Sequence, residues 1–88
     1  MEIKQYQAAI EAILFASGEP VAASRLAETL DIDEETVVRL ADDLLQDVNT
    51  RRGGIRIVRL DDRYQMCTDR EYAAYVRKAM DLSLIHID

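Results

Sequence analysis

Ile55-Arg-Ile-Val-Arg-Leu-Asp-Asp-Arg-Tyr-Gln-Met-Cys-Thr68 is the stretch on which the reading of this chain turns. It divides into two short runs rich in β-formers, Ile55 to Leu60 and Arg63 to Thr68, separated by Asp61-Asp62. That arrangement predicts an antiparallel hairpin closed by a tight turn. Pairing across the turn places Ile55, Ile57, Tyr64 and Met66 on one face, expected to be buried, with Arg56, Gln65 and Cys67 on the other.

Outward from the hairpin toward the C-terminus, Thr68-Asp-Arg-Glu71 reads as a capping box. A helix from Asp69 to about Met80 should follow, with Tyr72, Val76 and Ala79 on its inner side. Toward the N-terminus, Arg51-Arg52-Gly53-Gly54 ends a helical half, the glycines forming the turn into the first strand. Before them a helix opens at Asp33, a good N-cap, with Glu34 and Glu35 at its positive end. Val37, Leu40, Ala41, Leu44 and Val48 make one face of that helix, at amphipathic spacing. A shorter helix, roughly Ala22 to Leu30, precedes it, with Leu26 and Leu30 inward, and Asp31-Ile32-Asp33 breaks the two apart.

The first helix is expected from about Ile3 to Ser17. Ile3, Tyr6, Ile10, Ile13 and Leu14 form a stripe wide enough for a core face. Ser17-Gly18-Glu19-Pro20 stops it, glycine supplying the left-handed position and proline being unable to continue. Three helices, a two-stranded wing and a C-terminal helix make an α+β, mainly α, winged helix-turn-helix. The expected domain is 1–80, followed by a tail, 81–88.

Composition narrows the function. The 88 residues are 49% hydrophobic and 32% charged, as in a single globular domain. No apolar run is long enough for a transmembrane helix, and Met1-Glu2 lacks the basic start of a secretory signal, so a cytoplasmic location is expected. One cysteine, Cys67, and one histidine, His86, provide neither an internal disulfide nor a metal-ligand set. With no nucleophile–base pair and no glycine-rich phosphate loop, neither catalysis nor a cofactor is expected.

A winged helix usually suggests DNA, with its third helix in the major groove. Here that helix carries Asp33, Glu34, Glu35, Asp42, Asp43 and Asp47 against Arg39 alone, and phosphates would repel it. Glu35, Arg39, Asp42, Asp43 and Gln46 are expected on its outward face. The wing has the opposite sign, with Arg51, Arg52, Arg56, Arg59 and Arg63 against Asp61 and Asp62. Arg56, Arg59 and Arg63 could touch a phosphate backbone or an acidic partner; the simpler reading is a charged edge that discourages strand pairing.

The first helix holds a second apolar stripe, Ala8, Ala12 and Phe15, nearly opposite the core stripe. Either the last helix or the wing covers it, or it meets a second copy of the chain, since small residues allow close approach and Phe supplies an anchor.

Ala9-Ile-Glu-Ala-Ile-Leu-Phe-Ala-Ser-Gly-Glu-Pro-Val21, Leu26-Ala27, Gly53-Gly-Ile-Arg-Ile-Val58, Tyr64-Gln-Met-Cys-Thr68 and Glu71-Tyr72, in that order, closely resemble the N-terminal half of segregation and condensation protein B. The resemblance spans about Ala8 to Met80. It implies a non-catalytic accessory subunit of the bacterial condensin, acting in chromosome condensation and segregation and associated with the nucleoid. Such proteins carry two tandem winged helices, form homodimers partly through the N-terminal one, and bind the kleisin ScpA and through it the SMC ATPase using both. The resemblance brings no catalytic residues. Leu82-Ser83 fits the start of a second winged helix but Leu84-Ile-His-Ile-Asp88 does not, so the expectation is a truncated chain lacking half of the kleisin-binding surface.

Overall fold

The computed structural model describes residues 1–81. Helix α1 (Ile3–Ser17) opens where the Glu2 amide donates to Gln5 Oε1 at 2.8 Å. It closes at Gly18, whose φ of 70° is left-handed and whose amide returns to Leu14 O. A Cβ there would meet open space, so glycine is needed for its backbone freedom and not for room. Strand β1 (Val21–Ala22) and helix α2 (Ala23–Leu30) follow, and Asp31, also left-handed, ends α2. Helix α3 (Glu34–Thr50) begins at the Asp33 cap, which accepts from the Thr36 amide at 3.0 Å and the Thr36 hydroxyl at 2.8 Å. Those bonds, the hydroxyl first, hold the Asp33 carboxyl below its ordinary value.

Strands β2 (Ile55–Leu60) and β3 (Arg63–Thr68) fall where the sequence places them, paired Ile57 to Met66 and Leu60 to Arg63 across Asp61-Asp62. The sheet has a third member, however. Val21 and Ala22 pair with Tyr64 and Arg63, giving the antiparallel order β1-β3-β2. The expected two-stranded wing is therefore three-stranded, and Ala22 belongs to a strand instead of a helix. Two residues cannot display alternation, and their partner lies far away in the sequence, so no local pattern marks this strand.

All five expected inward residues of α3 are buried, and with Ile10, Leu14, Ala23, Leu26, Ala27, Ile57 and Tyr64 they form one core. Several expectations fail at its margins. Ile3 is 64% exposed, and Tyr6 and Ile13 are only partly covered. Ile55 is exposed and Met66 half-buried although both share the inner face with Ile57 and Tyr64. Thr68 does not cap a helix; Asp69 does, its carboxylate accepting from the Glu71 amide at 2.9 Å. A 3₁₀ turn at Arg70–Tyr72 then delays helix α4 to Ala73–Ala79, shorter than the expected Asp69 to Met80. None of its residues is fully buried; of the expected inward set Val76 is half-buried, whereas Tyr72, which precedes the helix, and Ala79 are exposed. Of the tail 81–88, all beyond residue 81, including Leu82-Ser83 and His86, lies outside the described residues.

Candidate interaction surface

Spacings of four and three residues bring Ala8, Ala12 and Phe15 onto one line along α1, as expected. All three are exposed, Phe15 at 76%. α4 does not cover them. Instead they form one wall of an open groove whose other walls are Val48 and Arg51 of the α3 end, Ile55 of β2 and Met66 of β3. The groove continues past Phe15 to Cys67 and Thr68.

The hairpin explains how this surface arises. Ile57 and Tyr64 are buried in the core; on the same face Met66, paired opposite Ile57, is only half-buried, and Ile55, nearer the open end of the hairpin, is exposed. The apolar strip thus runs from the core onto the surface and meets the second stripe of α1. The sequence singled out the α1 stripe and left open whether it is covered. It missed the wing half because period-2 alternation says which residues share a face, not what covers that face.

Two polar locks hold the wing against α3. Asn49 donates from Nδ2 to Ile57 O and accepts at Oδ1 from Ile57 N, both at 2.9 Å, pairing the free edge of β2 as another strand would. Asp42 is the second lock. Its carboxylate accepts both from Arg59 Nη1, at 2.8 and 3.1 Å, and from the Tyr64 hydroxyl at 2.8 Å. Arg59 also lies 5.5 Å from the Tyr64 ring centroid and donates through Nε to Asp61 O. Burial, then the hydrogen bond to Asp42, push the Tyr64 phenol up to about 12. Asp42 is therefore not part of an outward acidic face.

The basic wing is likewise divided. Arg59 faces α3 and is engaged there. Arg56 and Arg63 share the outer face but sit at opposite ends of the hairpin. Arg56 is 3.6 Å from Asp69, and Arg63 makes no ion pair among the described residues. Arg51 pairs with Asp47 at 2.7 Å, which holds that carboxyl below its ordinary value. Arg56, Arg59 and Arg63, the alternative contact set for a phosphate backbone or an acidic partner, thus do not converge. Glu34, Glu35, Asp43 and Asp47 remain exposed on α3, so the helix that would read a groove is acidic in the fold as in the sequence.

Among the described residues there is no cluster of metal-ligating side chains, and Cys67 is a free, half-buried thiol. No helix among them is long and apolar enough to cross a membrane.

A model of the segregation and condensation complex subunit ScpB family matches residues 8–84. The chain belongs to the ScpB family. It is 41% identical over 80 residues to segregation and condensation protein B of Lachnoclostridium phytofermentans, a match covering 90% of this chain and 42% of that protein. The chain thus spans less than half the length of such ScpB relatives. Its fold is similar to a crystallised dimer of an ScpB N-terminal domain complexed with an ScpA peptide, with a TM-score of 0.80 and 31% identity, covering 88% of this chain and 96% of that one. ScpB from Mycobacterium tuberculosis shares the fold at a TM-score of 0.84 and 22% identity, over 91% of this chain and 50% of that one.

Proposed function

We propose that this chain is the N-terminal winged-helix module of an ScpB-type accessory subunit of bacterial condensin, acting in chromosome condensation and segregation through protein contacts. It forms a homodimer and binds the kleisin ScpA, and through it SMC, in the cytoplasm at the nucleoid. It has no catalytic role. The observation that carries this reading is the uncovered groove of Ala8, Ala12, Phe15, Ile55 and Met66, on a fold similar to a domain crystallised as a dimer with an ScpA peptide. An apolar surface with an exposed aromatic anchor suits a protein partner. DNA binding through the wing is less well supported, since Asp42 already occupies Arg59.

Sedimentation equilibrium from low to high micromolar concentration tests the reading. A dimer is expected, weakened by Phe15→Glu with little change in helical content. A parent chain that stays monomeric throughout would sink self-association by this module. For DNA, the expectation is no salt-dependent affinity. Tight binding that falls steeply with salt and is lost when Arg56, Arg59 and Arg63 become Ala would reverse the preference.

A further inference from the structure

Helix α4 and the residues flanking it carry a second apolar surface that the described residues leave largely uncovered. Tyr72, Tyr75, Val76, Ala79 and Met80 follow the spacing of a single helical stripe, and Tyr75 and Met80 are 73% and 66% exposed. A helix of seven residues is far below the roughly 12–15 at which isolated helices become even marginally stable, so α4 needs a surface to pack on. Among the described residues none covers it fully, and only Ala73 and Val76 are half-buried.

The chain leaves the wing beside the groove. Thr68 lines the groove, and the next residue is pinned there: the Asp69 amide donates to Gly54 O at 2.8 Å, and its carboxylate faces Arg56. The Arg70–Tyr72 turn then carries α4 onward from that rim. Charge favours the same pairing of surfaces. α4 holds Arg77 and Lys78 and no acid, whereas residues 1–68 hold thirteen carboxylates against eight cationic side chains. At the groove itself, Arg51 is already paired with Asp47, leaving Glu11 as the lining carboxylate without an ion pair among the described residues.

We propose that, in the dimer, α4 of each copy lies in the groove of the other, its tyrosine–methionine stripe seated on Ala8, Ala12, Phe15, Ile55 and Met66. This rests on the reading of the chain as self-associating. The exchange is isologous: each copy gives a helix and receives one. One contact by a helix about 10 Å long is small beside the roughly 800 Å² per partner of a stable interface, and reciprocity doubles it. Arg77 and Lys78 then approach Glu11 and the acidic side of α3 on the partner copy.

Two experiments on the full chain test this. Sedimentation equilibrium is compared for the parent, Phe15→Glu, and Tyr75→Glu combined with Met80→Glu. Both variants should weaken association by about tenfold or more, as expected for anchor residues. The α4 substitutions lie at exposed positions and leave the core untouched, so circular dichroism should show the remaining fold intact. For the second, Phe15→Cys/Cys67→Ser is mixed with isotope-labelled Tyr75→Cys/Cys67→Ser and oxidised. The mixed disulfide should dominate over both like pairs by mass spectrometry. Two outcomes overturn the exchange while leaving self-association standing. One is a dimer that Phe15→Glu weakens but the α4 pair does not. The other is a disulfide joining two Phe15→Cys chains in place of the mixed one. A monomeric parent overturns both.

Discussion

Asp42 shows how far a single residue can depart from its sequence reading. Helical periodicity alone puts it beside Glu35 and Arg39 on an outward face, yet it is the point at which α3 and the wing are joined. Asp42→Ala leaves the fully buried Tyr64 with an unpartnered hydroxyl, and an unsatisfied buried group costs about 1–3 kcal/mol. Urea denaturation should show a lower midpoint, and Tyr64→Phe, which removes the hydroxyl too, should lose less. The alkaline limb follows from the same contact. Tyr64 keeps its proton to about 12 in the fold, against 10.0 ordinarily. Between those values the unfolded chain releases a proton that the folded chain retains, so this contribution is intact below pH 10 and falls as pH rises toward 12. Stability measured from pH 9 to 12 should decline more gently in Tyr64→Phe than in the parent.

Among the elements, β2 depends most on a contact made across the fold. One of its edges pairs with β3, and Asn49 satisfies the amide and carbonyl of Ile57 on the other. Asn49→Ala should expose that edge, destabilise the domain by about 1–3 kcal/mol and accelerate hydrogen exchange at the Ile57 amide. Asn49→Asp should fall on the same side, since a carboxylate cannot donate to Ile57 O and its charge repels that carbonyl. Helix α3 was legible throughout because its cap, its acidic first turn and its apolar face are local and mutually consistent. The hairpin was equally legible, since two apolar-rich runs around Asp61-Asp62 leave one sensible register. α4 was legible only as a helical pattern. Its start moved because Asp69 competes with Thr68 for the capping role, and its packing failed because an amphipathic stripe does not name its partner.

At the scale of the whole molecule, two apolar surfaces stay largely open among the described residues, the groove and the α4 stripe, and this links stability to association. If the folded dimer is the species that covers them, the melting temperature should rise with protein concentration. Differential scanning calorimetry over a hundredfold concentration range would reveal that dependence, and Phe15→Glu should flatten it. A concentration-independent midpoint in the parent would argue that these surfaces stay exposed in solution. The charge distribution belongs at this scale too. The sequence shows a basic wing beside an acidic helix, and only in three dimensions does Arg59 turn back onto Asp42 and separate Arg56 from Arg63.

By itself the sequence determined the helices of the core, the hairpin and its register, the family, and the existence of a second apolar stripe on α1, though not whether that stripe is covered. Each is written in short-range spacing or in motif order. The tertiary structure decided what becomes of those faces. The packing of the hairpin leaves Ile55 exposed and Met66 only half-buried at the groove, and Val21-Ala22 becomes a strand only because β3 is there to receive it. The physical reason is common to both: burial and edge pairing are properties of two elements brought together, and no residue specifies its distant neighbour by its own spacing.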